Sequence, residues 1–316
     1  MNAIDTHAHF YPTWYLDELE RAGVSPDSTA IARGLHADTT ASDIEKRLEW
    51  MDRAGVEAQV IAVTPQGPHV ADGAKATHLA EAINEHYLEI AAAHPGRFLP
   101  YAALPLPHVG ASVHIIEQAQ GFLGFSVPTL LPGGGSLFGE ELEPVWEALN
   151  QQSAVVNIHP TGQGLCAAPI TEHHLHWVNG APVEDATAVL HLLKAGINLR
   201  YPKITFHVAH LGGDLAFLAR RLEDNFEDWD AFPASPMQAL RGMVFDAANF
   251  HEPALLAAVA TYGPEQVMAG SDFPYFQEEK YVRAFEYIRS AGLSEEVKAK
   301  ILRSNAARVL GLELQT

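Results

Sequence analysis

His7 and His9 are separated by a single residue in the opening run AIDTHAHF. Side chains two positions apart on an extended chain point the same way, so these imidazoles share a face. Two neighbouring imidazoles are half of a site for a divalent transition metal. Three more residues of suitable type end later apolar runs: His159 in AVVNIHP, His210 in KITFHVAH and Asp272 in QVMAGSDFP. Nitrogen ligands with one carboxylate suit a metal such as zinc, with a position left for water or substrate. Such a centre lowers the pKa of bound water toward ~7 or polarises a substrate oxygen, and either serves hydrolysis. Joined to a proton donor such as His210 or Asp272, it also serves proton transfer to carbon.

These residues can meet only if the chain brings the ends of several strands together. Eight short apolar runs have strand character, at 3–10, 58–65, 98–105, 122–129, 154–160, 203–210, 243–249 and 266–274. Helical periods fall between them, at 42–55, 75–96, 109–121, 140–152, 183–196, 213–226, 252–263 and 279–292, and the tail 294–312 adds two short helices. In the first, Ser42 followed by Glu45 reads as a capping box, and Gly55 as the stop. Eight strand–helix repeats predict an α/β fold, a closed (β/α)8 TIM barrel. Residues 1–316 then form a single domain, with long loops at 161–182 after strand five and at 226–241 after strand six. In such barrels the carboxyl ends of the strands carry the chemistry.

Composition narrows the class. Twenty Lys and Arg face 39 Asp and Glu, a formal charge of -19. That surface repels nucleic acid and anionic membranes but allows a small anionic substrate at a local positive site. One cysteine, Cys166, rules out a disulfide framework within the chain and suits a reducing compartment. No signal peptide and no apolar run of membrane-spanning length stand out, so a cytoplasmic enzyme is expected. The triple glycine at 133–135 lacks the strand–helix setting of a phosphate loop.

Other histidines have plainer readings. His207, three residues before His210, is expected to face away from it as a core or barrel–helix residue. His173, His174 and His176 fall in an irregular loop and should be exposed. His78 and His86 belong on a helix. Phe10, Tyr11, Trp14, Trp177, Phe273, Tyr275 and Phe276, near the predicted mouth, could sandwich a planar substrate, with barrel-mouth packing the alternative.

H-A-H after strand one, N-I-H-P at strand five, A-H-L-G-G at strand six and G-S-D-F-P at strand eight together resemble the amidohydrolase superfamily. They resemble most its decarboxylase branch, typified by aminocarboxymuconate semialdehyde decarboxylase, over roughly residues 3–312. The resemblance implies one divalent metal, usually zinc with manganese the alternative, held by His7, His9, His159 and Asp272. It implies His210 as an acid/base beside the metal-bound water, Arg47 as an anchor for the substrate carboxylate and Trp177 over the substrate. It also implies a homodimer. Strand four, GFLGFSVPTL, lacks the lysine that bridges two metals in other members, so one metal is expected. The arginine expected nine residues before the Asp of strand seven is absent, since that position is Met237. The expected function is a metal-dependent, non-oxidative decarboxylase, a carbon–carbon lyase acting on an aromatic or unsaturated carboxylic acid. A mononuclear hydrolase of an amide, lactone or C–C bond remains the alternative, and a metal-binding module without catalysis a third.

Overall fold

The computed structural model describes residues 2–313. All eight expected strands form: β1 (Ala3–Asp5), β2 (Val56–Ile61), β3 (Phe98–Ala103), β4 (Gly124–Pro128), β5 (Val155–His159), β6 (Thr205–Val208), β7 (Val244–Asp246) and β8 (Val267–Met268). They pair in parallel in sequence order, β1 to β8, in one sheet. Main-chain bonds beyond the ladders close the cylinder. Thr6 N–H donates to Ala269 O at 2.9 Å, His9 N–H to Phe273 O at 2.8 Å, and Asp272 N–H to His7 O at 2.8 Å. The closure therefore ties the His7–His9 segment directly to the segment carrying Asp272.

Strands covered by helices on one face and by the barrel interior on the other are buried on both faces, so their few polar residues must find partners inside the barrel. β5, VVNIH, is buried at every residue. The strands are shorter than their apolar runs because each run continues past its last ladder bond into the mouth.

Helices occupy the intervals the periodicity marks, with small shifts. The helix Ala41–Ala54 is capped by Thr40, not Ser42: Thr40 Oγ1 accepts from Asp43 N–H, two residues earlier than Ser42 and Glu45 suggest. It ends at Gly55, whose φ of 67° needs a residue without a side chain. A further helix, Thr13–Arg21, buries Tyr15, Leu16 and Leu19 and was not marked by the sequence.

The two insertions differ. Residues after β5 hold short helical turns, Gly164–Cys166, Ala168–Thr171 and His176–Gly180, before the helix Ala181–Lys194. The 226–241 stretch does not overhang the mouth. The helix after β6 runs to Trp229, and the short helix Pro236–Leu240 leads into β7, so this stretch lies on the amino side of the barrel. Among the described residues, no helix is long and apolar enough to cross a membrane.

Candidate metal centre

His7 and His9 follow β1, His159 is the last residue of β5, and Asp272 lies four residues beyond β8. One ligand atom from each falls within 4.8 Å of all the others. His7 Nε2 is 3.1 Å from His159 Nε2, and Asp272 Oδ1 is 3.4 Å from the Nε2 atoms of both His7 and His9. Asp272 takes a left-handed backbone with φ of 54°, which aspartate tolerates better than most residues. Gly270 lets this segment pass the site: a Cβ there would stand 3.0 Å from the Cβ atoms of both His7 and Asp246.

The outer nitrogen of each imidazole is already committed. His7 Nδ1 contacts Asp246 Oδ2 at 2.9 Å, His9 Nδ1 the Ala62 carbonyl at 3.3 Å, and His159 Nδ1 the Pro160 carbonyl at 2.8 Å. Carboxylates and carbonyls accept, so each Nδ1 carries a hydrogen and each Nε2 turns a lone pair inward. His9 Nε2 is buried without a hydrogen-bond partner. Lone pairs of His7 and His159 facing each other at 3.1 Å repel unless a cation lies between them. Burial pushes His9 down to about 4 and His159 well below its usual value, so both stay neutral, as ligands must. The donor set of three imidazoles and one carboxylate thus fits a single divalent metal.

Asp246, which the sequence reading did not single out, organises the surroundings. Its Oδ2 accepts from His7 Nδ1 and from His207 Nε2 at 3.2 Å. Its Oδ1 accepts from the N–H groups of His210 at 3.1 Å and Ala248 at 3.2 Å. Burial alone would raise its pKa, but His7 and His207 outweigh this and hold it well below the carboxylate range. His207 is therefore inside the barrel on the same carboxylate as His7, not turned away from the site as its spacing suggested. Replacing Asp246 with asparagine should lower metal affinity roughly 10–100-fold, because one amide oxygen cannot accept from all four donors that the two carboxylate oxygens serve and the charge that fixes the His7 ring is gone. Competition against a chelator dye measures it.

His210 adopts φ of 52° at the turn after β6. Its Nδ1 bonds Asp185 Oδ2 at 2.9 Å, and its Nε2 lies 3.6 Å from Asp272 Oδ2. Burial pulls its pKa down, but attraction to Asp185 and Asp272 prevails and holds it well above the usual value. A cavity of about 410 Å³ opens here, with His159, His210 and Asp272 among its lining residues. Trp177 and Tyr275 stack beside it, ring centres 6.3 Å apart at 23°.

Two expected substrate residues lie elsewhere. Arg47 is 1% exposed, between the rings of Phe10 at 3.5 Å and Phe273 at 4.3 Å. It donates to Gln59 Oε1 at 3.1 Å and to the His9 carbonyl at 2.6 Å, and burial pushes its pKa down to about 9. Neither Arg47 nor Phe273 lines the cavity. Both brace the metal-bearing segments from behind, because Arg47 belongs to the inward stripe of its helix. Trp177 does line the cavity. It packs on Gly162, where a Cβ would come within 2.3 Å of the indole.

Two adjacent acids on the helix Ala181–Lys194 also escaped the sequence reading. Asp185 holds His210, as described above. Glu184 accepts from Thr129 Oγ1 at 2.7 Å, Thr161 N–H at 2.6 Å and Gly164 N–H at 2.6 Å, which pins the turn under Trp177. The available signal was two adjacent acids near the start of a helix whose first half is otherwise mostly apolar. Cys166 is exposed and does not line the cavity; His173 and His174 are exposed as expected, whereas His176, at the start of the turn His176–Gly180, is half-buried.

Known proteins share this plan. The chain is 29% identical over 324 residues to the 6-methylsalicylic acid decarboxylase of Penicillium expansum, covering 95% of this chain and 94% of that protein. It is 26% identical over 334 residues to the 2-amino-3-carboxymuconate-6-semialdehyde decarboxylase of Dictyostelium discoideum, covering 98% and 92%. A dihydroxybenzoic acid decarboxylase from Polaromonas sp. JS666, solved with manganese and the inhibitor 2-nitroresorcinol, superposes with a TM-score of 0.86 at 20% identity. That match covers 100% of this chain and 98% of that one. Residues 4–312 match the amidohydrolase family, and this chain belongs to it.

Proposed function

We infer that the protein is a metal-dependent, non-oxidative decarboxylase, a carbon–carbon lyase acting on a small, planar, aromatic or unsaturated carboxylic acid. The observation that carries this is His210. It stands between two carboxylates, Asp185 and Asp272, beside a ligand cluster, in a cavity with flat aromatic walls. Relatives spanning nearly the whole chain are named decarboxylases.

Loss of CO2 breaks a C–C bond and leaves its electron pair on the ring or vinyl carbon. That carbon must take a proton. With Nδ1 hydrogen-bonded to Asp185, His210 can carry a second proton on Nε2 and deliver it, then regain it from water. Its position between two carboxylates stabilises the cationic form. A divalent cation held by His7, His9, His159 and Asp272 would supply Lewis acidity toward a substrate oxygen, and both Zn2+ and Mn2+ suit that donor set. Trp177 and Tyr275 would hold the ring flat. Trp177→Ala should raise KM roughly 10-fold with a smaller change in kcat, because an indole face binds substrate and transition state alike. Steady-state kinetics on the metal-loaded protein checks this.

We propose a homodimer on the family resemblance alone; the single cysteine favours a reducing, cytoplasmic compartment, and the acidic composition disfavours nucleic-acid and anionic-membrane partners. Turnover in 18O-labelled water tests the reaction class. Decarboxylation releases CO2 and leaves the organic product unlabelled. Hydrolysis of an amide, lactone or C–C bond places 18O in the organic product and would replace this reading.

A further inference from the structure

The cavity distributes polarity unevenly. His159, His210, Asp272 and the Tyr275 phenol supply its ionisable groups. Ile31, Phe250 and Phe276 supply half-buried apolar wall, Val178 stands at the exposed rim, and Asn249, also exposed, offers a neutral amide. None of the lining residues is Lys or Arg. The nearby arginines are committed: Arg47 to Gln59 and the His9 carbonyl behind Phe273, Arg33 to Asp17 and Glu20. The chain's net charge of -19 adds no compensating field.

We propose that this site selects monocarboxylic acids: one carboxylate directed to the ligand cluster and His210, and a ring bearing only neutral substituents. This rests on the decarboxylase reading above. A second carboxylate on the ring would leave water for an apolar wall with no cation to pair with, and burying an unpaired charge is strongly unfavourable. A hydroxyl has a partner in the Asn249 amide, and an alkyl group has the aliphatic and aromatic wall. The volume of about 410 Å³ lies near the low end of the roughly 300–1,000 Å³ range of small-molecule sites, which fits a single ring.

The test compares three ortho-hydroxybenzoates that differ at one ring position, first para and then meta to the reacting carboxylate. The position carries methyl, carboxamide or carboxylate. Carboxamide and carboxylate have nearly the same shape, so they separate charge from size. The methyl and carboxamide acids should have kcat/KM values within about 10-fold of each other, and the carboxylate on the order of 100-fold lower than the carboxamide. In Val178→Arg, altered at a cavity residue that is 73% exposed and so should tolerate a long side chain, the ratio of carboxylate to carboxamide kcat/KM should rise about 10-fold, whatever the variant does to either value alone. Parity of carboxylate and carboxamide in the unaltered protein would overturn the proposal. If no acid of the set loses CO2, that result counts against the decarboxylase reading alone, and calorimetric binding of the same three acids to the metal-loaded protein decides the selectivity. Methyl and carboxamide acids that bind on the order of 100-fold tighter than the carboxylate acid uphold it. Equal binding overturns it.

Discussion

His210→Ala should lower kcat by roughly three orders of magnitude while metal content stays at one equivalent. General acid–base groups typically contribute about 10²–10⁴-fold, and His210 is the imidazole that lines the cavity without belonging to the ligand cluster. Its Nε2 lies 3.6 Å from the Asp272 carboxylate, so the truncation removes the donor and leaves the four ligand side chains in place. KM should change little, because proton delivery is needed only in the transition state. Turnover within about 10-fold of the unaltered enzyme would assign the proton to another group. Loss of the metal together with activity would make His210 a support of the site and not its acid. Asp185→Asn offers a graded version. The amide still contacts Nδ1 but no longer stabilises the imidazolium, so kcat should fall by less than in His210→Ala.

The second large effect is loss of the metal. Dialysis against a strong chelator should reduce activity to background, and Mn2+ or Zn2+ should restore it. His159→Ala should behave like the chelated protein and resist restoration, because it removes one of three inward lone pairs. The expected loss is on the order of 10³-fold or more, since a Lewis acid contributes several kcal/mol to stabilising developing charge. Asp272→Asn should cost at least as much, because that carboxylate serves the cluster through Oδ1 and His210 through Oδ2. Metal content by elemental analysis, measured beside activity, separates the two roles. Full activity in a chelated, metal-free protein would contradict the reading.

Much of this centre is legible in the sequence because strands carry a period of two and barrels gather strand ends. His7 and His9 announce themselves by spacing. His159, His210 and Asp272 do so by ending apolar runs. What the sequence hides is direction and partnership. Arg47 resembled an anchor, yet Ile44, Arg47, Met51 and Ala54 form one buried stripe at spacings of three and four, and that stripe carries Arg47 inward. Asp246 sits at the end of β7 like many strand-end residues. Its four hydrogen bonds come from β1, from β6 and the turn after it, and from its own following loop, and are visible only once the barrel closes. His207 misleads by counting: the strand ends at Val208, so an alternation carried through to His210 no longer holds. Thr40 displaced Ser42 as the cap because both residue types serve equally, and tertiary contacts choose the turn in which the helix begins.

The most direct measurement is anomalous diffraction from crystals of the protein grown with Mn2+ or Zn2+, collected on both sides of the metal's absorption edge. The expected result is a single peak at the barrel mouth, at about 2.0–2.2 Å from His7 Nε2, His9 Nε2, His159 Nε2 and an Asp272 oxygen, with His210 beside it and unbound. A peak elsewhere, two peaks, or none in fully active crystals would contradict it.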